Sequence, residues 1–137
     1  NNYPWGAKML LNPSELEEQM RYPVDDVVRE AYLTFAHAQL PEGMTIRPAG
    51  HGYIARELRF ESQGAWLFSA VLNQKWILWY FRNPAIRAGL VEADPTRVKF
   101  STAQTNARGE IKLRVMSVRE AQDVLGWIGC PLVQRGA

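Results

Sequence analysis

The most apolar stretch of the chain spans residues 64–82 and holds three of the five tryptophans, Trp66, Trp76 and Trp79. Two runs of β-forming residues, Ala65 to Leu72 and Trp76 to Arg82, flank the polar segment Asn73-Gln74-Lys75. This pattern predicts a β-hairpin. Both runs are almost continuously apolar rather than alternating, so we expect them at the centre of a sheet with helices over both faces.

Helices that could cover the sheet are predicted both before and after the hairpin in the chain. A capping box, Ser14 to Glu17, opens a short helix. Pro23 begins a longer helix, whose apolar residues recur three and four apart until it ends near Leu40. A second capping box, Ser117 to Glu120, opens a helix that Gly129 terminates.

Further strands are predicted on either side of the hairpin. Residues 53–61 follow a flexible connection at residues 48–52 and would extend the hairpin into an antiparallel meander. Residues 110–116 alternate cleanly between apolar and charged side chains. Their simplest partner is a short edge strand at residues 98–100, because only a polar turn separates the two segments.

We therefore predict one α+β domain over residues 1–137. It has an N-terminal helical segment, an antiparallel sheet of about five strands and a C-terminal helix packed on the sheet. A hydrophobic fraction of 47% against 22% charged residues is typical of a globular core and excludes a disordered chain. Because the sequence does not begin with methionine, we expect a fragment of a longer polypeptide or a processed one.

Cysteine and histidine content argues against several classes of site. The one cysteine, Cys130, cannot form an internal disulfide and is expected to be a small packing residue. With no cluster of cysteine and histidine, we predict no metal site and no cofactor. A reducing cytoplasm is the simplest setting. No apolar run is long enough to span a bilayer, so no membrane partner is expected, and nothing in the sequence indicates an oligomeric state.

Charge is segregated along the chain. Residues 1–43 carry three basic and seven acidic side chains, whereas residues 44–117 carry eleven basic and five acidic ones. Eight of those eleven are arginines, which bind phosphate or carboxylate groups bidentately. This predicts a non-catalytic binding or regulatory module whose basic sheet surface contacts nucleic acid or an acidic protein. The predicted contact residues are Arg56, Arg59, Arg82, Arg87, Arg97, Lys99, Arg108, Lys112 and Arg114.

Other interpretations of the basic and aromatic residues stay open beside this one. The arginines could serve only to keep the surface soluble and to pair with nearby acids. The chain could also be a protein-interaction domain with no nucleic-acid role. The aromatic residues of the hairpin could form a stacking platform for bases, or they could all be core. Alternation assigns them to two faces, with Trp76, Leu78 and Tyr80 on one and Ile77, Trp79 and Phe81 on the other.

One short pattern indicates catalysis. Asp94-Pro95 is followed by Glu110-Ile111-Lys112, and this resembles the PD-(D/E)xK nucleases. The resemblance implies that Asp94 and Glu110 would bind Mg²⁺ and that Lys112 would position or activate the attacking water. The alternative is an ordinary solvent-facing Glu/Lys pair on an alternating strand.

Overall fold

The computed structural model describes residues 8–9, 13–50 and 55–130, with the side chains from Ser14 onward. The helices are α1 (Pro13–Gln19), α2 (Asp26–Ala36), α3 (Asn83–Arg87), α4 (Ala93–Lys99) and α5 (Val118–Trp127). The strands are β1 (Lys8–Met9), β2 (Met44–Ala49), β3 (Arg56–Ser62), β4 (Ala65–Leu72), β5 (Ile77–Phe81), β6 (Gln104–Thr105) and β7 (Ile111–Val115).

All seven described strands form one sheet in the order β1-β2-β3-β4-β5-β7-β6. The pair β1–β2 is parallel and every other pair is antiparallel. The predicted α+β class is therefore confirmed, including the central hairpin, the N-terminal helices and the C-terminal helix. The sheet has more strands than the predicted five, because β1, β2 and β6 lie in segments without a strong strand pattern. In the described part of the chain, no helix has the length and apolar character needed to cross a membrane.

One face of the sheet forms the core. Alternate residues of β3, β4, β5 and β7 point to this face and are almost completely buried, among them Leu58, Phe60, Phe68, Trp79 and Ile111. Helix α2 packs on β4 and β5, and α5 packs beside α2. The Phe35 ring of α2 stacks on the Trp79 ring with centroids 4.9 Å apart. The helices and the sheet thus pack against each other through a layer of aromatic rings.

The expectation that helices cover both faces of the sheet is wrong. In β5, Ile77, Trp79 and Phe81 are buried, whereas Leu78 and Tyr80 between them are partly exposed. The strands alternate as half-buried strands do, but their outward residues are also apolar or aromatic, so the sequence resembles a continuous apolar run. We call the second side the open face. Its outward side chains belong to β2, β3, β4, β5 and β7.

Residues 98–100 were predicted as an edge strand, and this is also wrong. They lie at the end of helix α4, and the short strand β6 pairs with β7 instead. Asp94 and Pro95 occupy the first turn of α4, where an acidic side chain and a residue without an N–H are both favourable. Residues 48–52 were expected to form a connection, but the strand β2 continues through Ala49.

Capping residues in the sequence predict the start of α5 correctly. Ser117 caps α5, with its Oγ 3.1 Å from the Glu120 amide, so the predicted capping box is confirmed there. Helix α2 begins at Asp26 and ends at Ala36, a shorter span than predicted. Strand β3 corresponds to the predicted strand at residues 53–61 and spans Arg56–Ser62. Residues 53 and 54 lie outside the described part of the chain.

A buried polar network joins α1 to the rest of the domain. The Gln19 side chain accepts a hydrogen bond from the Tyr32 hydroxyl at 2.8 Å and donates to the carbonyl groups of Ala49 and Glu57. Burial, with a smaller contribution from the charge of Glu57, raises the pKa of Tyr32 well above its usual value. Tyr32 therefore stays a neutral donor, and Gln19 links α1, α2 and two strands.

Replacing Gln19 tests this network. Gln19→Ala should lower the free energy of unfolding by about 2–3 kcal/mol, because it leaves the buried Tyr32 hydroxyl and two carbonyl groups without their partner. Urea unfolding followed by tryptophan fluorescence measures the change. Glu18→Ala, at an exposed position of the same helix, is the matched control and should shift stability by no more than about 0.5 kcal/mol. Equal stabilities of the two variants would contradict the role given to Gln19.

Candidate functional site

The open face carries a row of polar side chains that crosses five strands in register. Arg47 pairs with Arg59, Arg59 with Ser69, Ser69 with Tyr80, and Tyr80 with Lys112. Neighbouring strands are about 4.8 Å apart, so this row, which we call the central row, spans about 19 Å. It presents three cations and the Tyr80 hydroxyl, whereas the Ser69 hydroxyl is buried. An elongated anionic ligand could lie along it, across the strands.

Trp66 lies beside the central row between arginines from both neighbouring strands. The guanidinium carbons of Arg59 and Arg82 lie 4.0 and 3.9 Å from the centroid of its ring. The indole N–H donates to the Ser69 hydroxyl at 2.7 Å, and Arg82 donates to the Trp66 carbonyl at 2.6 Å. Each cation–π contact at a partly exposed site is worth about 0.5–2 kcal/mol. Trp66 therefore fixes the positions of the two arginines.

Carboxylates compensate the positive charge on one half of the open face. Arg47 pairs with Glu61 at 2.6 Å and Arg59 with Glu57 at 2.9 Å, both on the β2–β3 side. On the other side, neither Lys112 nor Arg114 has a carboxylate partner among residues 14–50 and 55–130. The uncompensated charge of the open face is thus concentrated along β7. There, the Arg114 guanidinium lies 4.1 Å from the Trp76 ring centroid.

A depression lies in the open face between β4, β5 and the turn before β7. It has a volume of about 530 Å³. Ser69, Val71 and Tyr80 line it from the strands, and Asn106 and Arg108 line it from the turn. The turn reverses the chain between β6 and β7, and the positive φ of 86° at Gly109 suits glycine. The fold therefore holds a cavity of small-ligand size next to the uncompensated cations.

Glu110, one of the two acids of the nuclease-like pattern, is buried and fully engaged. Its carboxylate accepts hydrogen bonds from the Asn83 amide at 3.3 Å and the Asn106 side chain at 3.2 Å. It also forms an ion pair with Arg82 at 3.7 Å. Glu110 thus holds together the start of α3, the turn and the end of β5.

The other acid of that pattern lies in a different environment. Asp94 is in the first turn of α4, where its highly exposed carboxylate pairs with Arg97. Lys112 projects from β7 into the central row. Among the residues whose side chains are described, no group of three or more His, Cys, Asp or Glu could hold a metal ion.

The nine predicted contact residues divide between two environments. Five border the open face or its depression, namely Arg59, Arg82, Arg108, Lys112 and Arg114. The other four lie elsewhere. Arg56 lies over the Tyr22 ring at 3.7 Å, Arg87 is in α3, and Arg97 and Lys99 are in α4. The structure therefore does not bring all nine together on one surface.

The aromatic residues of the hairpin also divide. Phe68, Trp79 and Phe81 are core, whereas Trp66, Trp76 and Tyr80 are partly exposed on the open face. Sequence reasoning missed Arg47 and Ser69. The alternating burial of β2 and the register of β4 place these two residues on the open face. An alternating pattern is present at residues 44–48, but Pro48 obscures it.

Cys130 has the environment expected of a packing residue. Its side chain is buried behind α5, and its amide donates to the Leu125 carbonyl. Burial raises the pKa of the thiol to about 12. At neutral pH the thiolate is therefore negligible.

Comparisons with protein-family models, with curated proteins and with solved structures found no match to this chain.

Glu110→Ala should destabilise the protein by about 2–3 kcal/mol, since it leaves Arg82 without its carboxylate and two partly buried donors without their acceptor. Chemical unfolding measures the loss. Glu92→Ala, which removes an exposed acid at the start of α4, should have little effect. A Glu110→Ala variant as stable as the wild type would refute the structural role of this carboxylate.

Cys130 should resist thiol reagents in the folded protein. With a pKa of about 12, only about one thiol in 10⁴ is ionised near pH 8, against roughly a quarter of an unperturbed thiol with pKa near 8.5. Reaction with a chromogenic disulfide, followed by absorbance, should therefore be slow in native buffer and fast in concentrated guanidinium. Rapid labelling of the native protein would contradict the buried environment.

Proposed function

We propose that the protein is a non-enzymatic nucleic-acid-binding module and that the open face is its contact surface. The observation that carries this proposal is the pair Lys112 and Arg114 on β7, which lack carboxylate partners in the described chain and lie beside the partly exposed Tyr80 and Trp76. Cations next to aromatic rings on a sheet are the usual means of holding the phosphates and bases of a nucleic-acid strand.

The charge pairing over the basic segment supports an anionic ligand. Of the eleven basic side chains in residues 44–117, four form an ion pair with a described carboxylate, namely Arg47, Arg59, Arg82 and Arg97. The remaining seven have no carboxylate partner in the described part of the chain. Arginines placed only for solubility would not need to be held over tryptophan rings, as Arg59, Arg82 and Arg114 are.

Nucleic acid is favoured over an acidic protein because the open face combines regularly spaced donors with aromatic surface. The central row runs from Arg47 on β2 to Lys112 on β7 and has partly exposed donors on four of its five strands, since Ser69 on β4 is buried. A phosphate backbone carries charge at regular intervals and can meet such donors in succession. An acidic peptide would satisfy the cations but has no base to stack on the Tyr80 ring.

Removing the two β7 cations tests the proposal. The double variant Lys112→Ala/Arg114→Ala should bind a labelled oligonucleotide at least tenfold more weakly at about 50 mM salt, because each charge-assisted contact is worth about 1.5–3 kcal/mol. The slope of log K against log salt should also fall by about two. Fluorescence anisotropy measures both quantities.

Arg87→Ala/Lys99→Ala is the matched control, since it removes the same charge from α3 and α4 instead of the open face. It should retain most of the affinity. If both double variants lost affinity equally, binding would depend only on net charge, and this would contradict the proposed surface. Tighter binding to polyglutamate than to the oligonucleotide would favour an acidic protein partner. Mg²⁺-dependent cleavage of the probe, abolished in Lys112→Ala, would favour the nuclease interpretation.

A further inference from the structure

We infer that the depression over Tyr80 accepts one unpaired nucleotide, so that the open face binds single strands in preference to duplexes. This inference depends on the proposed nucleic-acid function and adds the form of the ligand. The depression has a volume of about 530 Å³, within the range of about 300–1,000 Å³ that is usual for small-ligand sites.

Tyr80 provides the recognition surface at this site. It is partly exposed and lies between Ser69 and Lys112 in the cross-strand register. Neither a guanidinium group nor another aromatic ring of the described residues contacts the Tyr80 ring, and its hydroxyl has no partner among them. The hydroxyl and the exposed part of the ring are therefore both available to a ligand.

The other aromatic rings of the open face are less available. The Trp66 ring has guanidinium groups of Arg59 and Arg82 within 4.0 Å of its centroid, and its N–H is bonded to Ser69. The Trp76 ring has Arg114 at 4.1 Å. A base that stacked on either ring would have to displace an arginine. Tyr80 is the ring on which a base can stack without that cost.

Charge around the depression suits a nucleotide. Glu57 and Glu110 line it, but Arg59 and Arg82 compensate their carboxylates. Arg108 is exposed on the turn above the depression and Lys112 adjoins Tyr80, and neither has a described carboxylate partner. A base over Tyr80 would therefore have cations beside it for its phosphates. This arrangement combines stacking with phosphate contacts.

A duplex cannot use this arrangement in the same way. Paired bases are stacked on their neighbours and present only their edges in the grooves, so the Tyr80 ring, which lines a depression, cannot reach a base face. A duplex can still contact the outer cations, and it should bind with the lower, salt-dependent affinity that those contacts provide. Preference for single strands thus follows from Tyr80 and its position.

The test compares an eight-nucleotide single strand, a length within the range of about 4–16 nucleotides for comparable sites, with its duplex. Tyr80→Ala should weaken binding of the single strand about tenfold or more and leave duplex binding within about twofold. Tyr80→Phe keeps the ring and should stay within about threefold of the wild type. Val27→Ala, which alters an exposed apolar residue of α2 on the other side of the sheet, is the control and should bind both probes as the wild type does.

Each contrary result is distinct. Equal affinity of the wild-type protein for both probes, or equal losses for both in Tyr80→Ala, would overturn the inference but leave the proposed function intact. Absence of salt-dependent binding to either probe would remove the proposed function itself. A second experiment photocrosslinks the wild-type protein to a single strand that contains 5-bromouracil. Because it uses no variant, its result does not depend on whether Tyr80→Ala folds correctly. An adduct on Tyr80 supports the inference, and an adduct confined to other residues overturns it.

Discussion

The packing of Trp79 against its neighbours is the interaction on which the rest of the structure depends. Its ring stacks on Phe35 and Phe68, with centroids 4.9 and 5.6 Å away, and meets Phe60 and Phe81 edge to face. A buried aromatic of this size removes about 150–250 Å² from water, worth about 4–6 kcal/mol. Its indole N–H has no described acceptor, at a cost of about 1–3 kcal/mol. Burial outweighs that cost, so the tryptophan can be entirely enclosed.

Because this core lies on one side of the sheet, the other side is left to polar and partly exposed residues. The salt bridges of Arg47 and Arg59 make the β2–β3 half of the open face nearly neutral. The β7 half keeps the charges of Lys112 and Arg114. A surface that is neutral on one half and positive on the other orients an anionic ligand as well as attracting it, since only one half offers free charge.

The contrast between α5 and α4 explains which elements could be predicted. Helix α5 has its capping box, its apolar stripe and Gly129 close together in the sequence, so local signals agree on its limits. Helix α4 is short and exposed, and Pro95 within it resembles a loop residue unless its place in the first turn is known. Strand β2 was missed for a related reason, because Pro48 is unusual inside a strand. It is tolerated here because β1 pairs only with Thr45 and Ile46, so the rest of this side of β2 has no partner strand among the described residues.

The sequence alone was sufficient for the α+β class, the central hairpin and the concentration of arginine in residues 44–117, because these depend on local periodicity and on composition. Only the tertiary structure decided which face of the hairpin is buried, since both faces are apolar enough to be core. It also decided which cations lie on the open face and which are paired with carboxylates, because strand register and cross-strand contacts join residues far apart in the chain. The candidate site is a product of that register, and no local pattern specifies it.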